Sequence, residues 1–407
     1  MTRVLELLVS LLIVTVLVVA VGALLPDHGH VERTAEVSSP LRQIFDSANT
    51  LRRFPEWSPE RRLDPQLHMA YDGARNGPGS IVTWNGNETV GKGKLTIKSA
   101  DEDSLIKMDV ENDFAGKDKT YTISLVPSEN GKTTKITWAY DVDYGWDLMW
   151  RYAGLYIHGK PDANVQTALG NFANMLASFP NVDYKEQDIK PVEVTGVPVL
   201  FVSTKAPRTL DEVEEATNNA VTEIEAVMKK VGLTQAGPVR TVTTNWGDEN
   251  YVFDVAIPVN AAAFTVDGNS YTIPAPVVSE TVDEMTDEAA KPEPKLGDLD
   301  EDGYLFVDGK VKAKVTYSGL ALVTEYAGSP AALPLLRLQE KAFAETHGYL
   351  YSEMNGGRFW DEVISTESPV KEIAKAEPVE GEAAVDAVPE EAAPTEKTYK
   401  VSLPVEP

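Results

Sequence analysis

The chain has 407 residues, contains no cysteine and carries a formal net charge of -26 from 63 acidic and 37 basic side chains. The absence of cysteine excludes a disulfide, a thiolate nucleophile, a cysteine-based zinc site and a lipid-modified cysteine. The charge argues against nucleic acid as a partner, because phosphate binding requires clustered lysine and arginine. The length is sufficient for two or three domains of the usual size.

Residues 1–28 contain an apolar run, VLELLVSLLIVTVLVVAVGALL at 4–25, in which Glu6 is the only charged residue. A membrane span needs about 20 apolar residues, whereas a cleaved signal peptide has an apolar core of about 7–15 residues. We therefore interpret residues 1–28 as a transmembrane signal anchor. Arg3 before the run and Asp27 after it favour an N-terminus in the cytoplasm. The prediction is a single-pass protein of the inner (cytoplasmic) membrane with its soluble domains outside the cytoplasm.

Residues 29–182 show the pattern of an antiparallel sheet followed by a long helix. HVERTAEVS at 30–38 alternates as a strand does, and a helix is predicted in PLRQIFDSAN. Five strand candidates follow, from GSIVTWNG to TKITWAYDVDY, with turn residues between them. A helix then begins at Pro161, and its apolar residues recur at steps of three and four: Val165, Leu169, Phe172, Leu176 and Phe179. This order predicts a curved sheet wrapped around its last helix.

The stretch GNETVGKG at 86–93 matches the first seven positions of a nucleotide-binding loop but has Gly93 in place of serine or threonine. A phosphate-binding loop joins a strand to a helix, so that the helix N-terminus faces the phosphate. The neighbours here, SIVTWNGN and KLTIKSA, are both strand-like. We therefore predict that the glycines are turn and close-packing positions of an antiparallel sheet.

Three segments of this region together resemble the START-like or SRPBCC superfamily, in its polyketide cyclase/dehydrase and lipid transport branch. They are HVERTAEVSSPLRQIFDSANTLRRFPEWSP, GPGSIVTWNGNETVGKGKLTI and TKITWAYDVDYGW. The resemblance implies a helix-grip fold for residues 29–182. It also implies an apolar cavity between the sheet and the last helix that holds a lipid or another hydrophobic small molecule.

The remainder of the chain, residues 190–407, contains an internal repeat. GVPVLFVST, a helix over 209–230 and FDVAIPV at 253–259 form one unit; SGLALVTEY, a helix over about 330–347 and YKVSLPV at 399–405 form the other. Such self-similarity indicates two like halves that build one sheet. This duplicated strand-helix-strand-strand pattern resembles the GyrI-like, or bacterial effector-binding, domain, which implies a ligand cleft. Two acidic insertions, near 279–302 and 370–396, depart from the family pattern. The predicted fold class is α+β throughout.

Metal and nucleophilic sites find little support in the sequence. DLDEDG at 298–303 imitates the start of a calcium loop, but Gly309 stands where the loop needs a bidentate glutamate. The five histidines lack a metal-binding spacing, and no G-x-S-x-G elbow occurs. We predict no metal, no cofactor and no catalytic residue of these kinds.

Aromatic residues are the candidate ligand contacts. In the first domain, Trp84, Trp138, Tyr140, Trp146 and Tyr152 are predicted to line the apolar cavity, and ordinary core or edge packing is the alternative for each. In the second domain, the resemblance implies an acidic residue among aromatic residues that meets a cationic apolar ligand. The candidates there are Trp246, Tyr326, Trp360 and Glu362, with an exposed surface acid as the alternative for Glu362.

These predictions describe a membrane-anchored binding protein. A hydrophobic small molecule or lipid would occupy the START-like cavity, and a second small molecule would occupy the cleft of the GyrI-like domain. An enzyme of the cyclase/dehydratase or hydrolase type, which uses one of these cavities, is the alternative, because such chemistry needs little beyond an apolar cavity and an acid/base pair. A purely structural envelope protein is a third interpretation.

Overall fold

A computed structural model describes residues 2–247, 249–275, 294–351, 358–367 and 396–406. The chain divides into two compact units, one comprising residues 1–186 and 341–349, the other residues 187–340 and 350–407. Both are α+β units built on antiparallel sheets. Residues 370–395 of the insertion predicted near 370–396, and most of that predicted near 279–302, lie outside the described residues.

The first unit begins with the apolar helix and continues with seven strands. Its elements are α1 (Thr2–Leu24), β1 (His28–Val37), α2 (Leu41–Ala48), α3 (Phe54–Trp57), α4 (Pro59–Leu63), β2 (His68–Gly73), β3 (Ser80–Asn85), β4 (Lys92–Asp101), β5 (Leu105–Asn112), β6 (Lys117–Pro127), β7 (Thr134–Asp143), α5 (Leu148–Gly154) and α6 (Lys160–Ser178). The strands form one antiparallel sheet in the order β1-β7-β6-β5-β4-β3-β2. One described helix, over Arg3–Leu24, has a length and mean hydropathy (3.0) sufficient to cross a membrane, properties that signal sequences share.

Helix α6 packs against β1 and β7 of this sheet, as the predicted helix-grip arrangement requires. The buried face of α6 carries Val165, Leu169, Phe172 and Leu176, at the spacing expected from the sequence. Strand β7 alternates between buried and half-buried or exposed residues, so that its inward side chains meet this helix face. The two periodicities therefore build a single core between helix and sheet.

In the stretch GNETVGKG, residues 86–91 connect β3 to β4, and Lys92 and Gly93 begin β4. Gly91 adopts a φ of +70°, which favours glycine. Gly93 pairs directly with Trp84, and a Cβ atom at Gly93 would lie 2.0 Å from Cζ2 of that ring. Gly93 is therefore a close-packing position that lets the indole lie flat on the sheet.

The second unit contains eleven strands and two α-helices within the described ranges. Its elements are β8 (Lys190–Val194), β9 (Pro198–Pro207), α7 (Leu210–Val231), β10 (Arg240–Trp246), β11 (Asn250–Pro258), β12 (Ala263–Val266), β13 (Asn269–Thr272), β14 (Leu305–Asp308), β15 (Val311–Val315), β16 (Gly319–Gly328), a 3₁₀ turn (Pro330–Ala332), α8 (Leu333–His347), β17 (Trp360–Glu367) and β18 (Glu396–Pro404). Residues 341–349, at the end of α8 and just after it, belong to the first unit. Strands β12 and β13 form a separate hairpin.

The order strand, helix, strand, strand occurs twice in this unit, as β9-α7-β10-β11 and as β16-α8-β17-β18. The central strands of the nine-stranded sheet follow the order β9-β11-β10-β17-β18-β16, so that each half mirrors the other. Pairing of β10 with β17 joins the two halves. This is the symmetric sheet that the internal repeat predicts.

Local sequence signals account for both ends and for the buried face of helix α7. The Thr209 side chain accepts a hydrogen bond from the backbone N–H of Glu212, which caps the first turn, and Gly232 ends the helix in the left-handed region. The buried face of α7, with Ala220, Ile224 and Val227, packs on β9 and β11. The core of this half is mainly aliphatic.

The DLDEDG stretch forms a turn before β14. The Asp298 carboxylate accepts a hydrogen bond from the backbone N–H of Lys295, and that of Asp300 binds the backbone N–H of Tyr304 and the ammonium of Lys312. Among the residues that the structure describes, no group of three or more histidine or acidic side chains is placed to hold a metal ion.

Candidate functional site

A cavity of about 340 Å³ lies beside helix α2 in the first unit. We call it the α2 pocket. Its walls combine charged, amide and apolar side chains from α2, the segment before β3, the end of β4 and the end of α8: Arg42, Phe45, Asp46, Asn49, Asn76, Pro78, Ala100, Glu102 and His347. Convergent polar groups beside an apolar wall are typical of small-molecule sites.

Arg42 and Asp46 meet because they are one helical turn apart on α2. The Arg42 Nε atom donates to Asp46 Oδ2 at 2.9 Å, and the same guanidinium also binds Glu102 on the far wall. Asp46 is buried, and a buried carboxylate is tolerated only when it is paired and hydrogen-bonded. Arg42 therefore supplies the charge that keeps this carboxylate in the wall of the pocket.

Asp46 has a second buried donor. The Tyr184 hydroxyl donates to Asp46 Oδ2 at 2.8 Å and lies 2.7 Å from the Thr346 hydroxyl oxygen. Burial, followed by the charge of Asp46, raises the pKa of Tyr184 well above its ordinary value. Tyr184 therefore keeps its proton and serves as a hydrogen-bond donor to Asp46.

His347, at the end of α8, lines the pocket and is buried. Burial lowers the pKa of His347 below its ordinary value, although the charge of Asp46 acts in the opposite direction. Nδ1 lies 2.9 Å from the carbonyl oxygen of Phe343, which can only accept, so the neutral ring carries its proton on Nδ1. Nε2, 3.8 Å from Asp46 Oδ2, is then an unprotonated base.

The predicted cavity residues Trp84, Trp138 and Tyr140 lie in the core of the first unit. The ring centroids of Trp138 lie 5.1 Å from those of Trp57 and 6.1 Å from those of Phe172, both in edge-to-face geometry. The Trp84 ring stacks on Phe54 at 5.2 Å. Trp138 is fully buried, and none of the three lines the α2 pocket. The three belong to one core, in which Trp138 contacts Phe172 of α6.

Trp146 and Tyr152 lie elsewhere. Trp146 is 84% exposed, and the Arg151 guanidinium lies 4.9 Å from the centre of its ring. The Tyr152 hydroxyl donates to the carbonyl oxygen of Val18 in helix α1 at 2.8 Å. The structure thus places Trp146 at the surface and Tyr152 against α1, and separates both from the interior aromatic residues.

The four candidates of the second unit are divided between the two faces of its sheet. Trp360 packs with Ala321 and Val323 on one face. Tyr326 alternates with Val323 along β16 and so points to the other face. Trp246 also belongs to that other face, since its ring contacts Tyr251 at 4.7 Å within the α7 core.

Trp360 and Glu362 are two residues apart on β17, so their side chains point to the same face of the sheet. Its carboxylate is buried and lies 2.7 Å from the Arg240 Nε atom, directly across the strand pair. The alternative interpretation of Glu362, an exposed surface acid, is therefore wrong. Glu362 is half of an ion pair in the interior, and a cationic ligand would compete with Arg240 for it.

Sequence reasoning missed the buried charges of α8. Asp361, between Trp360 and Glu362, binds the guanidinium of Arg337, which also donates to the Tyr251 hydroxyl at 3.4 Å. Glu340, one turn after Arg337, is completely buried, and neither of its carboxyl oxygens has a hydrogen-bond donor in good geometry among the described residues. Burial raises the pKa of Glu340 well above its ordinary value of 4.5. The sequence did contain a signal for this: Arg337 and Glu340 stand at positions of α8 whose spacing turns them toward the core.

No family model matches the sequence, and no curated protein does. Several solved structures are similar to part of it. They include a protein from Nitrosospira multiformis (14% identity, 37% of this chain and 97% of that one, TM-score 0.28), truncated norcoclaurine synthase from Thalictrum flavum (16%, 37% and 94%, 0.28) and the di-domain ARO/CYC StfQ of the steffimycin biosynthetic pathway (11%, 36% and 50%, 0.29). At these values the likeness carries no argument about function, which rests on the geometry above.

Proposed function

We propose that this protein is a membrane-anchored binding protein that holds a small molecule in its helix-grip unit. The observation that carries the proposal is the α2 pocket, where the polar groups of Arg42, Asp46 and His347 converge beside the apolar side chains of Phe45 and Pro78. Its volume of about 340 Å³ lies at the lower end of the usual range for ligand sites, about 300–1,000 Å³.

The chemistry of the walls favours an amphipathic ligand. Phe45, Pro78 and Ala100 offer apolar surface, in keeping with the hydrophobic molecule or lipid that the sequence resemblance implies. Arg42 can bind an anionic or carbonyl oxygen, while Asn49 and Asn76 offer both donors and acceptors. A ligand with one polar end and a short apolar body fits this lining, whereas a ligand without polar groups would cover polar atoms of the wall without hydrogen-bonding to them.

Helix α1 supports the anchoring part of the proposal. Its 22-residue segment Arg3–Leu24 is exposed to the surroundings over almost its whole length, as a lipid-facing helix is. The charge pattern around it favours soluble units outside the cytoplasm. We propose the inner membrane as the location. We further propose that the nine-stranded unit holds a second ligand, on the face that carries Trp360 and Glu362, as the resemblance to effector-binding domains implies.

One observation favours an enzyme as the alternative. His347 lines the α2 pocket with a neutral imidazole whose Nε2 is unprotonated, next to a carboxylate that would stabilise its protonated form. This is the arrangement of a general base. A cyclase, dehydratase or hydrolase acting on the bound molecule would use His347 to remove a proton.

Native mass spectrometry of the full chain, extracted from its membrane in detergent, tests the proposal. Ala100 lines the pocket, so Ala100→Trp is expected to fill the pocket and remove the bound mass that wild type retains. Ala70→Trp, at an exposed position of β2 in the same sheet, is the matched control and is expected to keep it. Equal occupancy in Ala100→Trp and wild type contradicts binding in the α2 pocket, and wild type without any bound mass favours a structural role.

The enzyme alternative has its own readout. If His347 acts as a base, His347→Gln retains the bound molecule but no longer converts it during incubation. If the protein only binds, the wild type leaves the extracted molecule chemically unchanged, and His347→Gln alters at most its occupancy.

A further inference from the structure

Outside α1, the exposed large apolar side chains of the first unit are concentrated near α5. Between the end of α1 and residue 186, the exposed ones are Leu63, Val126, Trp146, Met149, Leu155 and Tyr156. Four of these six lie within residues 146–156, on α5 and beside it, and are 60–84% exposed. We call Trp146, Met149, Leu155 and Tyr156 the α5 patch. A concentrated apolar patch marks an interaction surface.

Helix α5 is attached to the end of α1. Arg151 donates to the carbonyl oxygens of Ala23 and Leu25 at 3.0 and 3.1 Å, and so satisfies carbonyls at the end of α1 that lack helical partners. The Tyr152 hydroxyl binds the carbonyl of Val18 one to two turns earlier. Gly22 makes the contact possible, since a Cβ atom there would lie 3.1 Å from the Tyr152 ring.

The attachment extends into the sheet. Tyr144 is buried between the start of β1 and the end of α5: a Cβ atom at Gly29 would lie 2.7 Å from its hydroxyl oxygen, and one at Gly154 would lie 2.6 Å from its ring. The backbone N–H of Tyr144 also donates to the carbonyl of Asp27 at 2.7 Å. Helices α1 and α5 and strand β1 therefore hold one another in place, and the α5 patch has a fixed position beside the apolar helix.

This position corresponds to the boundary of a bilayer. The 22 residues of Arg3–Leu24 span about 33 Å at 1.5 Å per residue, close to the roughly 30 Å of a hydrocarbon core. Val18 lies about 9 Å before Leu24 along the helix. Apolar faces of interfacial helices reach about 5–10 Å into the headgroup and acyl boundary, which is the depth that α5 shares with the last turns of α1.

We propose that the α5 patch lies in the membrane interface, as a second lipid contact that holds the helix-grip unit against the bilayer. The proposal rests on α1 spanning the membrane, as proposed above. The occupant is lipid because the patch flanks Arg151 and Tyr152, which bind the exposed apolar helix α1. Its residue types agree, since tryptophan and tyrosine are enriched where spans meet the headgroups. Trp146 and Tyr152 then serve membrane attachment and not the ligand cavity.

Spin-label accessibility in proteoliposomes tests this, and the lack of native cysteine allows single labels without other changes. The full chain is reconstituted in phosphatidylcholine–phosphatidylglycerol vesicles with a nitroxide at Met149→Cys or Leu155→Cys. Val126→Cys is the matched control, an exposed apolar position about 30 Å along β6 from the α5 end of the sheet. Leu12→Cys, midway along α1, reports whether the span itself is inserted.

For each label we take the ratio of oxygen accessibility to nickel-chelate accessibility. We expect this ratio at positions 149 and 155 to be several times the ratio at position 126 and lower than the ratio at position 12. If the labels at positions 149 and 155 give the same ratio as the label at position 126, while the label at position 12 lies in lipid, the proposal is overturned and the anchoring role of α1 stands. Low accessibility to both reagents, with spin–spin broadening, shows a second copy on the patch and also overturns it. If 12 is water-exposed, the anchor fails and the proposal fails with it.

Discussion

The interiors of the two units are built differently. The first unit packs aromatic rings between α6 and the sheet, with Trp138 in contact with Trp57 and Phe172. The second has a mainly aliphatic core on α7 and places the charged residues Arg337, Glu340 and Asp361 in the interior around α8. Ring packing depends on shape, and buried charge depends on protonation. The core between α6 and its sheet should therefore respond mainly to changes of volume, and the charged interior around α8 to pH.

The largest effect is expected for Trp138→Ala. Removing this fully buried indole leaves a cavity between β7 and α6, and large-to-small changes of this kind cost about 3–5 kcal/mol. Hydrogen exchange of the full chain in detergent should show loss of protection in β7 and α6 and none in β9 and β11. Equal loss in all four elements would mean that the two interiors unfold together.

A smaller loss is expected for Gly93→Ala, which adds one methyl group. Its Cβ atom would lie 2.0 Å from the Trp84 ring, so the indole must move from its stacked position on Phe54. Overpacking of this type costs about 1–3 kcal/mol. Hydrogen exchange in β3 and β4 measures the loss, and unchanged protection there would show that Trp84 is not held by its shape.

Glu340→Gln tests the response of the second unit to pH. Because burial raises the pKa of Glu340 above its ordinary value of 4.5, the folded chain holds this proton more tightly than the unfolded chain does. Wild-type stability therefore falls as pH rises from 4.5 to the folded-state pKa, and stays lowered above it. Glutamine cannot ionise, so protection of β16–β18 in Glu340→Gln should exceed that of wild type by more at pH 8 than at pH 5. A difference independent of pH contradicts a protonated Glu340.

The smallest effect is expected for Gly170→Ala, which also adds one methyl group. Gly170 lies inside α6, and a Cβ atom there meets no other atom within 4 Å. Alanine is favoured over glycine in a helix interior by up to about 1 kcal/mol, so this variant should be slightly more stable. Comparison of Gly170→Ala with Gly93→Ala separates the effect of a steric clash from the effect of adding a methyl group. Destabilisation by Gly170→Ala would show that the loss in Gly93→Ala cannot be assigned to the clash.

Much of the fold could be predicted from periodicity. The apolar spacing of α6, the alternation of β7 and the duplicated order of the second unit are local or repeated patterns, and the structure reproduces them. Gly91 and Gly93 were predicted as turn and close-packing residues because the runs on both sides alternate. Such features depend on neighbours a few residues away, which a single sequence displays.

The candidate site depends on distant residues, and the sequence does not show which of them meet. Arg42, Ala100 and His347 form walls of the same pocket although hundreds of residues separate the first from the last. Trp138 and Trp146 looked alike by residue type, but the structure buries the first in the core and leaves the second exposed. Glu340 stands at a core-facing position that patterns assign to apolar residues.

An experimental density map of the full chain, extracted from its membrane with whatever it binds, tests the central claim most directly. We predict density for a small molecule in the α2 pocket, with a polar atom within hydrogen-bond distance of Arg42 or Asp46. The rings of Trp57, Trp138 and Phe172 should remain in mutual contact in the same map. Ligand density among those rings, with solvent alone beside α2, would contradict the claim and would restore the apolar cavity as the binding site.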